Sequence, residues 1–189
     1  AREFLAGQGK KERPAPVPRF DALSIALVLM AALAWTVLPL ASATGWIFLA
    51  AGTVNLVRLL RWYGWLTWRE PLVLSLHVGY GWLALSMLVL GCALLGIGLA
   101  KEDAVHALTT GAVGAMTLAV MTRASLGHTG RPRHAGPAPV CIYVLVFCGA
   151  MLRVFGPATD LPTTLVLAAA AVGWSGAYLL FALVYGPYL

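Results

Sequence analysis

Charge is what this 189-residue sequence has least of. Only 11% of its residues are Asp, Glu, Lys or Arg, against roughly 25% in an ordinary soluble domain. With 60% hydrophobic residues and a mean hydropathy of +0.84, a water-soluble fold of this size is excluded, because it has too little interior to hide that much apolar surface. Cysteine is scarce as well. The three cysteines, Cys92, Cys141 and Cys148, all lie inside apolar runs, which excludes a disulfide framework and a CxxC redox or zinc motif. There is no phosphate-binding GxxxxGK[ST], no GxSxG and no HExxH. Acids are the rarest charges: Glu3, Glu12, Asp21, Glu70, Glu102, Asp103 and Asp160, all at segment ends or in loops. No paired carboxylates sit in an apolar span, which argues against a proton-coupled pump or transporter.

What is present is a series of long apolar segments. A spanning helix needs roughly 20 residues at about 1.5 Å each, and the runs here far exceed the roughly 10-residue alternating strands of a membrane barrel. Six spans are expected: Ala22 to Pro39, Thr44 to Trp62, Pro71 to Leu99, Ala104 to Leu126, Ala138 to Phe155 and Pro162 to Tyr185. The predicted fold is an all-α integral membrane protein, a six-helix transmembrane bundle over 21–189. Residues 1–20 read as a charged, Pro-rich linker, and a start at Ala1 suggests a processed or truncated piece. The leader has no small-residue cleavage site, so the first run is not read as a signal peptide.

The net charge of +6 sits between the spans and reads as a topology signal, not as a nucleic-acid surface. Alternating the crossings places Arg2, Lys10, Lys11, Arg13, Arg19, Arg58, Arg61, Arg69, Arg123, Arg131 and Arg133 on one side, and only Lys101 and Arg153 on the other. The basic side is expected to be cytoplasmic, giving N-in/C-in in a bacterial inner membrane. Trp46 on one side and Trp62, Tyr63, Trp65 and Trp68 on the other fit interfacial aromatic belts.

Ionisable groups inside a span are costly and default to a functional reading. His77 lies two turns into the third span. Its helical stripe of Gly81, Ala84, Leu88 and Gly91 suits either a closely approaching helix or a flat macrocycle beside the imidazole. His106 and His128 bracket the fourth span. On a straight helix they share one face with Thr110, Val113, Thr117 and Ala124, a small and polar face expected to point inward. They stand about 33 Å apart along the axis, so they cannot hold the same metal ion. His134, among Arg131 and Arg133, reads as a solvated loop residue. Arg58, Arg61 and Arg123 lie a turn or two inside the boundary, where they either snorkel or neutralise buried carboxylates such as haem propionates. Asn55 reads as a helix-to-helix hydrogen bond. Cys141 and Cys148, with Met116, Met121 and Met151, are potential Cu(I) donors but equally ordinary apolar fillers.

Three blocks of sequence resemble the NnrS family of haem- and copper-containing membrane proteins associated with the bacterial response to nitric oxide. They are LHVGYGWLAL from Leu76 to Leu85, VHALTTGAVGAMTLAVMTRASLGHTGRP from Val105 to Pro132, and the closing LLFALVYGPYL. The likeness covers roughly residues 45 to 189. It implies b-type haem and copper, with His77, His106 and His128 as the candidate ligands chosen on position and chemistry and Arg123 as a candidate propionate partner. Family members are usually about twice this length, so the chain resembles a C-terminal half, and a separate N-terminal half, a second copy or other membrane subunits become candidate partners beside the lipid bilayer. Binding nitric oxide, relieving its stress and moving electrons all fit the resemblance. A structural or haem-bearing electron-transfer subunit of a larger respiratory complex is the alternative.

Overall fold

The protein, as a computed structural model, is all-helical among the residues described, which are 2–7, 9, 17–132 and 135–188. Lys10, Lys11, Arg13, Arg133 and His134 lie outside them. A short α1 (Arg2–Gly7) precedes six long helices: α2 (Pro18–Val37), α3 (Ser42–Leu60), α4 (Pro71–Leu94), α5 (Lys101–His128), α6 (Pro137–Phe155) and α7 (Thr163–Tyr185). All six are long and apolar enough to cross a membrane. The spans expected from sequence match them to within a few residues at most ends. The third is shorter than expected because Gly96 and Gly98 take left-handed backbone angles, φ +77° and +83°, and end α4 at Leu94 instead of Leu99. Within the leader, Leu5 of α1 is fully buried.

α4 is the centre of the bundle, with more buried positions than any other helix. One side of it shares a core with α2 and α3, through Ala31, Phe48, Ala51, Met87 and Leu90. Its other side shares a larger core with α5, α6 and α7, through Trp82, Leu118, Ile142, Val146, Phe181 and Tyr185. The outer faces carry exposed Leu29, Leu33, Val144, Leu165, Val172 and Leu183. In water such faces would aggregate, whereas lipid tails are as apolar as leucine, so contact between helices must come from close packing and hydrogen bonds.

The stripe on α4 supplies that close packing. A Cβ at Gly91 would lie 2.9 Å from the Gly45 carbonyl oxygen, and one at Gly52 would lie 2.8 Å from Leu88 Cγ. The stripe is therefore filled by α3, and the alternative of a macrocycle lying along it is overturned. α6 and α7 approach in the same way, with a Cβ at Gly149 only 2.7 Å from the Trp174 backbone nitrogen.

α5 is not a uniform α-helix. Ala107–Val113 is a π-helix, in which the wider turn shifts the backbone register and leaves carbonyls to be satisfied from elsewhere. Two donors from α7 reach this stretch and the residue after it, Trp174 Nε1 to the Thr110 oxygen at 3.3 Å and the Tyr178 hydroxyl to the Gly114 oxygen at 3.1 Å. Gly111 and Gly114 make room for two indoles, Trp82 and Trp174.

Gly91→Val should force α3 and α4 apart and cost about 1–3 kcal/mol, the usual range for overpacking. Gly176→Ala, where a Cβ meets nothing within 4 Å, should be neutral or slightly stabilising. Thermal unfolding in detergent, followed by circular dichroism, would show a lowered midpoint only for the first.

Candidate functional site

The basic end of α2, α3 and α4 holds a connected set of polar and aromatic side chains. Arg58, in the last turn of α3, has its Nε 2.9 Å from Asp21 Oδ1 of α2 and donates from Nη1 to the Tyr80 hydroxyl of α4 at 3.0 Å. Tyr80 in turn donates to Asn55 Oδ1. Asn55 Nδ2 donates to the Ala51 oxygen at 2.8 Å and reaches the Ser24 oxygen of α2 at 3.4 Å. The guanidinium also lies over the Trp62 ring, 5.2 Å from its centroid. This is the helix-to-helix role expected of Asn55. Arg58 is thereby committed to protein partners, neither snorkelling freely nor waiting for a propionate. Arg61 stacks on Phe20 at 5.0 Å.

His77 sits beside this network, one turn before Tyr80 and only 8% exposed. Its Nδ1 is 2.9 Å from the Val73 carbonyl oxygen. A carbonyl only accepts, so Nδ1 carries the proton and Nε2 presents a lone pair. That Nε2 is buried and has no hydrogen-bond partner among the described residues. Trp62 meets the ring edge-on at 6.1 Å. Gly64 closes over it, because a Cβ there would lie 2.6 Å from His77 Cδ2. The residue before it, Tyr63, has φ +53°, a strained conformation for a bulky side chain that persists only where surrounding structure enforces it. The donor atom is thus oriented as an iron ligand would be, with its second nitrogen tied to the backbone. The space beside the ring is taken by the Trp62–Thr67 turn, so a haem bound at Nε2 requires that turn to move.

The other candidate ligands stand apart. His106 is half-buried at the opposite end of α5, where Asp103 and Arg153 pair at 2.7 Å. His128 is the last residue of α5 and is exposed. The face expected to join them does not point inward as a unit, since Val113 is 59% exposed. The π-helix between the two histidines explains this, because each residue added to a turn swings the following face by about 100°. Arg123 is half-buried on α5, next to Thr122, whose hydroxyl contacts that of Tyr143 on α6. Cys141 and Cys148 are exposed on α6. No group of three or more His, Cys, Asp or Glu side chains converges among the described residues.

Sequence reasoning did not find Asp21 and Tyr80 as partners of Arg58, nor Gly64 as the cover of His77. The π-helix was missed as well, as was the buried Trp82 indole nitrogen, which has no hydrogen-bond partner among the described residues. The charge on Asp21 was the one signal in view, an acid in the first turn of a span facing a basic helix end.

The NnrS family model, described as "NnrS protein", matches residues 2–189. This chain belongs to the NnrS family. The match takes in the leader and α2, which the resemblance read from motifs had left outside. None of the curated proteins and none of the solved structures compared with the chain matches it.

Gly64→Ala should push the Trp62–Thr67 turn off the imidazole. Acylation of His77 by diethyl pyrocarbonate, followed by peptide mass spectrometry, should be slow in the parent and at least several-fold faster in the variant.

Proposed function

We propose that this chain is a haem-carrying membrane protein of the bacterial nitric oxide response, with His77 Nε2 as an iron ligand. The observation that carries the reading is the His77 imidazole itself, buried, held to the Val73 carbonyl through Nδ1, and with no hydrogen-bond partner at Nε2 among the described residues. A buried polar atom without a partner costs about 1–3 kcal/mol, a cost that a metal bond offsets. Membership of the NnrS family, a family associated with nitric oxide, haem and copper, supports the same conclusion. With the Trp62–Thr67 turn displaced, His77 Nε2 would hold a haem whose iron would supply a coordination position for a diatomic gas. The chain's own contribution is to fix the tautomer and the ring direction through the Val73 carbonyl.

Copper has less support. The two α6 cysteines face outward, and His106 and His128 sit at opposite ends of one helix. The basic end is placed in the cytoplasm on the distribution of arginine and lysine, which puts His77 and His128 in the inner half of the membrane and His106 in the outer half. The inner membrane follows from the same reading.

A second reading, a structural subunit of a larger respiratory complex, draws on the way Gly64 and Trp62 enclose His77, since a histidine used only for packing would be enclosed in the same manner.

An optical spectrum of the detergent-purified chain distinguishes the two. A Soret band is expected that falls by at least tenfold in His77→Ala and persists in His128→Ala. A colourless protein that carries no metal by elemental analysis and co-purifies with fixed partners would establish the structural reading instead. For orientation, a reporter fused after Leu189 should be active only in its cytoplasmic form.

A further inference from the structure

The turn over His77 is bonded to itself and only packed against the rest of the bundle. The Leu66 N–H donates to the Tyr63 oxygen at 3.0 Å, the Thr67 hydroxyl to the Gly64 oxygen at 2.6 Å, and the Glu70 N–H to the Thr67 oxygen at 2.9 Å. Among the described residues no hydrogen bond ties Gly64–Thr67 to α4, α5, α6 or α7. Displacing the turn as a unit breaks none of these bonds, so it strands no satisfied backbone group in an apolar surrounding, where the cost would be high. Trp65 and Trp68 on its outer side are 55% and 64% exposed, at the basic end, where indoles favour the headgroup region.

Both ends of the turn are fixed. Before it, Trp62 is held between the Tyr80 ring, 4.6 Å away, and the Arg58 guanidinium at 5.2 Å. After it, Pro71 opens α4 and Leu72 is fully buried. Between Trp62, which is clamped, and Gly64, which is not, stands Tyr63 with φ +53° and ψ +40°. A bulky residue keeps left-handed backbone only where its surroundings enforce it, and here the enforcing contact is Gly64 against the imidazole. The Tyr63 ring meets Trp65 at 5.4 Å, a neighbour within the same turn. The closed position therefore holds two unfavourable features at once, the Tyr63 backbone and a buried His77 Nε2 with no hydrogen-bond partner among the described residues. Rotation of Tyr63 into the ordinary backbone region relieves the first and carries Gly64 off the ring, which frees Nε2 for the second.

We propose that Gly64–Thr67 is a hinged cover over His77, that Tyr63 is its strained hinge, and that a metal centre reaches Nε2 only when the cover is open. The identity of the ligand rests on the iron-ligand reading above, whereas the hinge does not. Because only the open form binds, a change that favours the closed form lowers the apparent affinity of Nε2 by the same factor. Strain at Tyr63 thus favours uptake.

Substitutions at Tyr63 that differ in their tolerance of left-handed backbone should act in opposite directions. In the full chain in detergent, before haemin is added, acylation of His77 by diethyl pyrocarbonate should slow about fivefold in Tyr63→Gly, which accepts that region freely. It should quicken about fivefold in Tyr63→Val, whose branched side chain tolerates the region least. A factor of about five corresponds to about 1 kcal/mol of backbone strain. Tyr63→Asn, which also adopts left-handed backbone, should behave as Tyr63→Gly does, with circular dichroism confirming that each variant is folded. All three variants lose the ring contact with Trp65, so a turn that merely packs would respond to them alike. The rate at which added haemin yields a Soret band should follow the same order, Gly below parent below Val. Equal acylation throughout, or a change of Tyr63→Gly and Tyr63→Val in one direction, would overturn the cover. Acylation in the expected order with no Soret band in any chain would leave the cover standing and remove the haem. A Soret band lost in His77→Ala, with acylation and uptake indifferent to residue 63, would keep the haem and remove the hinge.

Discussion

α3 and α4 lie close together because Gly45, Gly52 and Gly91 leave no side chain between them, and the geometry of the basic end follows from that approach. With no water to exclude, dispersion between closely packed backbones and hydrogen bonds across helices do the work that the hydrophobic effect does in a soluble core. The approach brings the last turn of α3 against the second and third turns of α4. It sets Arg58 on Tyr80 and Asn55 beneath it, and it folds the Trp62–Thr67 turn back over His77.

Two kinds of polar burial result, and they differ in chemical meaning. The Asp21–Arg58–Tyr80–Asn55 chain is internally satisfied: each donor named meets an acceptor, and three helices are tied together. Such a network ties the three helices together at their basic end, with the partly exposed Asp21 at its rim and Asn55 buried at its inner end. His77 is satisfied on one side only. The contrast is between a completed network and, one turn away, an imidazole whose Nε2 has no hydrogen-bond partner among the described residues.

The opposite half of the bundle solves a different problem. α7 donates an indole N–H and a phenol O–H to carbonyls in and just after the π-helix of α5. α5 also makes room for Trp82 and Trp174 against Gly111 and Gly114. The register change separates the faces that carry His106 and His128, so one helix presents different surfaces at its two ends.

Hydropathy and the placement of Gly, Pro, Lys and Arg determined the six helices, most of their ends and the basic end, because each is a local property of the chain in lipid. His77 could be singled out on the same grounds, as an ionisable group two turns into an apolar helix. The tertiary structure alone decided which of two fillings the small-residue stripe of α4 takes, since glycine permits a helix and a ligand equally until a neighbour arrives. It alone showed that Arg58 answers Asp21, 37 residues away, and that a π-turn breaks the face drawn for α5. These are outcomes of packing between segments far apart in the chain, and helical periodicity, which assumes 3.6 residues per turn and an isolated helix, carries no record of them.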